Sequence, residues 1–146
     1  ISDCLVGSEM CIRDRAWFGL NKAFRVKLNG LAMSPSQYTI MRCIHESPDH
    51  QVEQRKLARL IFSNKNNLAS ALLRLEDLGY VYREDEKTDA RRRNVFLSRK
   101  GKEVYLKAKI LADHLQSKIR ESLGDDDFQK LILHLLKWER NFETDT

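Results

Sequence analysis

The segment Tyr80 to Ser98, YVYREDEKTDARRRNVFLS, constrains the fold more than any other part of the chain. Two short β-type runs, Tyr80-Val81-Tyr82-Arg83 and Asn94-Val95-Phe96-Leu97, flank a polar stretch that ends in Arg91-Arg92-Arg93. Aromatic and β-branched residues on either side of a charged link read as a hairpin carrying a basic tip into solvent. Just upstream, Leu68, Ala71, Leu72, Leu75 and Leu78 recur at intervals of three and four before Gly79, which predicts an amphipathic helix. A helix followed at once by an arginine-tipped hairpin is the layout of a winged helix-turn-helix. The expected partner of such a unit is double-stranded DNA.

The distribution of charge supports that expectation better than its total. A net charge of +5 is shared by many proteins that touch no nucleic acid. From Glu53 to Lys102, however, thirteen Lys/Arg stand against seven Asp/Glu, a surplus of six, so the remainder of the chain sums to −1. Basic charge gathered on the hairpin-bearing segment is the footprint that phosphate binding requires, although a solvated basic face would give the same count.

With 146 residues and 42% hydrophobic content, the chain is long enough for one core, and residues 16–146 are expected to form a single domain. Residues 1–15, ISDCLVGSEMCIRDR, resemble a translated sequencing-adapter read and are expected to be a non-native or disordered leader. They have neither a basic n-region nor a sustained apolar core, which argues against a secretory signal. Three cysteines make no disulfide framework, so a reducing cytoplasm is the expected compartment. No apolar run reaches the roughly 20 residues that span a bilayer, and no membrane association is expected. The four histidines are scattered without a matched Ser or Cys nucleophile, so the chain is not expected to be an enzyme. Cys43-x-His45-x4-His50 fits no compact metal-ligand spacing, and neither a metal nor a cofactor is expected.

Elsewhere the pattern is helical. A first helix is predicted from about Ala16 to Asn29, with Phe18, Leu20, Phe24 and Leu28 apolar. Ser34-Pro35 supplies an N-cap followed by proline at the first helical position, and Pro48-Asp49 closes the helix that carries Tyr38, Met41 and Ile44. A short helix over about Gln54 to Ile61 precedes the amphipathic one, which opens at Ser63-Asn64. Ser98 caps a long helix, and Gly124 with Asp125-Asp126-Asp127 separates it from a last one ending near Phe142. The fold class is therefore mainly α (α+β), with a winged helix over about 34–98 and long terminal helices over about 16–29 and 98–142. Those helices carry apolar stripes, Val104, Leu111, Leu115 and Ile119 on one and Leu131, Leu135 and Trp138 on the other, that a second copy of the chain would cover.

The run LARLIFSNKNNLASALLRLEDLGYV, the wing DARRRNVFLS in its D-x-R-x-x-x-V-x-L-S form, and the RKGKEV that follows resemble the MarR family of winged-helix regulators. Ser34-Pro35-Ser36-Gln37-Tyr38 is similar to that family's second-helix opening, and the match runs from about Ser34 to Val104. The resemblance implies a homodimer held by the first and last two helices, bound to a palindromic operator, and repressing transcription until a small-molecule effector releases it.

Candidate DNA-binding residues follow from both lines of reasoning. Asn66 and Asn67 at a helix start can pair bidentately with adenine, and Lys65 can reach guanine or phosphate. Capping alone would also explain asparagines there, together with Ser63 and Asn64. Ser70 and Arg74 lie one and two turns further on, and Arg55 and Lys56 are expected to meet phosphates. The resemblance places Asp89 and Arg91 at the D-x-R positions, where the acid orients the hairpin and the arginine enters the minor groove or meets phosphate. Arg92 and Arg93 add charge, one of them packing on the body of the domain. A small ligand is expected near Tyr38, Met41, Arg42 and Tyr105. The competing class is a winged-helix protein-interaction module without operator recognition, for which three wing arginines have no use.

Overall fold

The computed structural model describes residues 12–61, 63–86 and 89–143. The chain divides into two compact units, Ile1–Lys109 and Ile110–Thr146. Most of the expected leader lies outside the described residues, but its last four belong to helix α1, Ile12–Leu28, which opens ahead of the predicted Ala16. Leu28 is fully buried, and a 3-10 turn over Asn29–Leu31 follows.

Helix α2, Pro35–Glu46, begins with a complete capping box. The Gln37 amide donates to Ser34 Oγ at 3.2 Å, and the Ser34 amide donates to Gln37 Oε1 at 2.8 Å, so two otherwise orphaned donors are satisfied. Its core face consists of Tyr38, Ile40, Met41 and Ile44. The helix stops before a turn in which Asp49 and His50 both adopt positive φ, 56° and 54°. His50 Nδ1 lies 2.6 Å from the His45 carbonyl oxygen; a carbonyl can only accept, so Nδ1 carries the proton.

That turn leads into strand β1, Gln51–Glu53, which the sequence pattern did not signal. Helix α3, Gln54–Leu60, buries Leu57 and Ala58, and helix α4, Lys65–Asp77, buries Leu68, Leu72 and Leu75. Strands β2, Val81–Glu86, and β3, Asp89–Leu97, are antiparallel, and β1 joins the other edge of β3 to give the order β1-β3-β2. Both wing strands extend well beyond the predicted runs. Arg91, Arg92 and Arg93 are therefore strand residues and not part of the link between the two strands.

The register sorts the sheet into two faces. Val52, Val95 and Arg83 are cross-strand neighbours on one face, where Val52, Val81 and Val95 are buried and Asp85 stands opposite Arg93. Tyr82 and Phe96 stack on the other, with ring centroids 5.1 Å apart and planes at 7°. Helix α5, Arg99–Leu123, is capped by Ser98, whose Oγ accepts the Gly101 amide at 2.9 Å and donates to the Gly79 carbonyl at 2.6 Å. Tyr105 of α5 is fully buried, its ring stacked 5.7 Å from Tyr38 and 4.6 Å from His45.

In the second unit α5 ends at Gly124, whose φ of 80° suits glycine as a helix stop. Helix α6, Asp125–Glu143, then starts with three acidic residues that complement its positive N-terminus. Phe128 is buried with the Arg120 guanidinium 4.9 Å from its ring centroid. Leu131, Leu133, Leu135, Leu136 and Trp138 are all exposed. No described helix is long and apolar enough to cross a membrane.

Candidate nucleic-acid interface

Helix α4 is positioned by its two ends. At the start, Asn64 Oδ1 accepts the Asn67 amide at 2.8 Å, so Asn64 acts as the N-cap and one of its polar atoms is committed. Ser63 Oγ donates to the Asn64 carbonyl at 3.3 Å. At the far end, Arg83 of β2 forms a two-pronged ion pair with Glu76, Nε to Oε1 at 2.7 Å and Nη2 to Oε2 at 2.6 Å. Lys100 Nζ donates to the Leu78 carbonyl at 2.8 Å, close to the Ser98–Gly79 bond. The apolar stripe faces the core, which turns Lys65, Asn66, Asn67, Ser70 and Arg74 to solvent.

The side-chain amides of Asn66 and Asn67 engage no partner among the described residues and remain available to a ligand. The same holds for the charged groups of Arg55, Lys56, Lys65, Arg74 and Arg91, all exposed and none ion-paired among the described residues. Carboxylates are paired elsewhere: Arg42 with Glu46, Arg99 with Glu103, Arg120 with Asp125 and Lys130 with Asp127. Cations that folding leaves unneutralised form a surface complementary to an anion.

The structure brings several of these groups around one groove of about 280 Å³. Its base is apolar, with Ala58 and Leu68, and its walls include Arg55, Lys65, Arg91 and Arg93 together with Glu53 and Gln54. Helices α3 and α4 and the wing thus contribute to a single concave surface. On the wing, Asp89 Oδ1 accepts the Arg91 amide at 3.0 Å, and Arg92 Nε lies 3.8 Å from Asp89 Oδ2. Arg93 Nε donates to Asp85 Oδ1 at 2.8 Å, and that hydrogen bond and charge raise the Arg93 pKa. Arg93 is thus held by its neighbouring strand.

Sequence reasoning did not find the Glu76–Arg83 pair, the Asp85–Arg93 pair or Glu53. Each depends on how the strands pair with one another or pack against a helix. The strict alternation of Val81, Arg83 and Asp85 was the one local signal that all three share a face.

The expected ligand residues are gathered, but mostly inside. Met41 and Tyr105 are fully buried, Tyr38 is 6% exposed, and only Arg42 reaches solvent, bound to Glu46 at 2.9 Å. Partial burial disfavours its charge, yet the hydrogen bond and charge of Glu46, with smaller contributions from Tyr38 and Tyr105, leave the Arg42 pKa raised. Burial, then Glu46, pushes the Cys43 thiol up, with Arg42 acting in the opposite sense. An elevated thiol is a poor nucleophile and a poor metal ligand at neutral pH. Among the described residues no group of three or more His, Cys, Asp or Glu is placed to hold a metal ion.

A short helix, a second helix with an exposed polar N-terminus, and a three-stranded sheet ending in a basic hairpin together define a winged helix-turn-helix regulator. The MarR family model matches residues 33–92. Transcriptional regulator HosA of Escherichia coli is 30% identical over 133 residues, covering 88% of this chain and 96% of HosA. Among solved structures, the S. aureus MepR–DNA complex is similar with a TM-score of 0.82 at 15% identity, covering 89% of this chain and 95% of that one. NadR in complex with 4-hydroxyphenylacetate is similar with a TM-score of 0.75 at 25% identity, covering 92% and 96%. The chain belongs to the MarR family of transcription regulators.

Proposed function

We propose that the protein is a sequence-specific repressor that binds a palindromic DNA operator as a homodimer in the cytoplasm and is released by a small organic anion. The observation that carries the reading is the concave basic surface on which Arg55, Lys65 and Arg91, unpaired among the described residues, surround an apolar base. Base readout falls to Asn66 and Asn67, with Ser70 and Arg74 along the groove edge and Ser63 and Asn64 fixing the helix start. Arg55 and Lys56 meet phosphates, Arg91 reaches the minor groove or the backbone, and Asp89 holds the chain from which Arg91 projects. Arg92 and Arg93 supply further positive charge.

The exposed apolar residues Leu131, Leu135 and Trp138 support dimerisation, since a patch of this kind is large for a soluble monomer. Trp17, Phe18 and Val26 of α1 are exposed as well. For the effector, Arg42 is a cation beside the phenols of Tyr38 and Tyr105, and NadR, of similar fold, is known with a hydroxylated arylacetate.

Selection from a randomised duplex library tests the proposal. The expected product is an inverted repeat whose half-sites lie one helical turn, about 34–36 Å, apart. No enrichment by well-folded protein would overturn operator recognition and leave the protein-interaction reading.

A further inference from the structure

Arg83 and Arg93, on the sheet face that carries Val52, Val81 and Val95, are both carboxylate-bound, but in different ways. Arg83 and Glu76 are 15% and 26% exposed in their side chains, so that pair is largely shielded from solvent. Arg93 and Asp85 are 50% and 53% exposed. A pair so open to solvent contributes little to stability and exchanges readily for another partner. The two residues stand directly opposite each other across β2 and β3, so register alone delivers the carboxylate to the guanidinium. Arg93 also lines the basic groove, and its neighbours there, Arg55, Lys65 and Arg91, carry no such counterion among the described residues.

We propose that Asp85 is a built-in stand-in for a DNA phosphate: it occupies Arg93 in the free protein and must be displaced before Arg93 can contact the backbone. This inference rests on the DNA-binding reading of the groove and adds a residue that limits affinity. Non-specific binding consists almost wholly of phosphate contacts, whereas operator binding adds base contacts. Holding one phosphate-contacting arginine back therefore lowers affinity for random-sequence and operator DNA by about the same factor, and Asp85 sets the overall strength of DNA binding. Glu53, a second acid in the same groove, works in the same direction by opposing anions.

The test measures binding of the full chain to a random-sequence duplex at several salt concentrations, comparing wild type with Asp85→Asn, Arg93→Ala and the double variant. Glu84→Gln controls for overall charge, because Glu84 is the adjacent strand residue, exposed and opposite Asn94 instead of an arginine. Asp85→Asn is expected to bind roughly two- to fivefold tighter at low salt. Its plot of log affinity against log salt should steepen by about 0.9 for each additional phosphate neutralised. Both changes should disappear in the Arg93→Ala background and exceed those of Glu84→Gln. Wild-type binding with a clear salt slope, but an Asp85→Asn variant no tighter than Glu84→Gln, would overturn the guard while leaving DNA binding intact. Absence of duplex binding by the wild type and every variant would overturn the underlying reading, and this inference with it.

Discussion

Gly101 of α5 lies so close to Tyr80 that a Cβ in its place would sit 1.9 Å from the Tyr80 carbonyl oxygen and 2.7 Å from the carbonyl carbon. The obstacle is backbone, which cannot rotate aside as a side chain would. The contact seats the first turn of α5 against the end of α4, where Ser98 and Lys100 bind the Gly79 and Leu78 carbonyls. Gly101→Ala should therefore destabilise the fold by about 1–3 kcal/mol, as overpacking does. Gly19, inside α1 with nothing within 4 Å of a built Cβ, is the counterpart. Gly19→Ala should be neutral or stabilise by up to about 1 kcal/mol. Urea denaturation of the two variants checks both signs.

The Glu76–Arg83 pair ties α4 to the wing. Removing one partner leaves a half-buried charge facing no counterion, so Glu76→Ala should lose about 1–3 kcal/mol of stability. The exposed Arg99–Glu103 pair, at 3.6 Å with side chains 96% and 64% exposed, should lose less than about 0.5 kcal/mol on the same treatment. Equal losses in the two variants would show that burial does not distinguish these bridges.

On the DNA side, Arg91→Ala should weaken operator binding by roughly 1–3 kcal/mol per subunit while leaving the unfolding midpoint unchanged. Alanine at Asn66 and Asn67 should flatten the preference among operator variants. Alanine at Arg55 and Lys56 should instead lower binding to all sequences about equally. Competition with mutated operators separates the two classes, and a uniform loss in the asparagine variant would reduce those residues to helix capping.

Much of this arrangement was legible in the sequence. The caps at Ser34, Asn64 and Ser98 were readable because a short polar side chain before an apolar periodic run has a specific local use, and the stripe of α4 follows from helical geometry. Strand β1 was not, since its three residues become a strand only by pairing with Phe96, Val95 and Asn94, a long-range contact that local propensity cannot signal. The wing strands were read too short for a related reason. Glu84–Glu86 and Asp89–Arg93 are poor strand formers, but facing charges such as Asp85 and Arg93 stabilise them in pairs. The wing arginines were consequently read as a solvent-pointing tip, and one of them is held by an acid on the next strand.

His45 should confer a pH dependence on stability. Burial, then His50 and Lys102, with a smaller contribution from Lys109, hold its pKa below the ordinary 6.5, while Glu46 acts in the other direction. The unfolded chain therefore binds its proton more readily than the folded one. The stability contributed by neutral His45 is complete above pH 6.5 and is lost as pH falls from there through the lowered folded value. The stability difference between wild type and His45→Gln should shift in favour of wild type from pH 5 to pH 7.5. A shift in the opposite direction would contradict the assigned environment.

The central claim is that the basic groove and the recognition helix engage duplex DNA through phosphates as well as bases. Filter binding of the operator duplex across a range of monovalent salt tests it most directly. Each phosphate neutralised should contribute about −0.9 to the slope of log affinity against log salt, so a dimer using Arg55, Lys56 and Arg91 in each subunit should give a slope near −5. A flat dependence, or a slope that Arg91→Ala and the Arg55 and Lys56 substitutions leave unchanged, would contradict it.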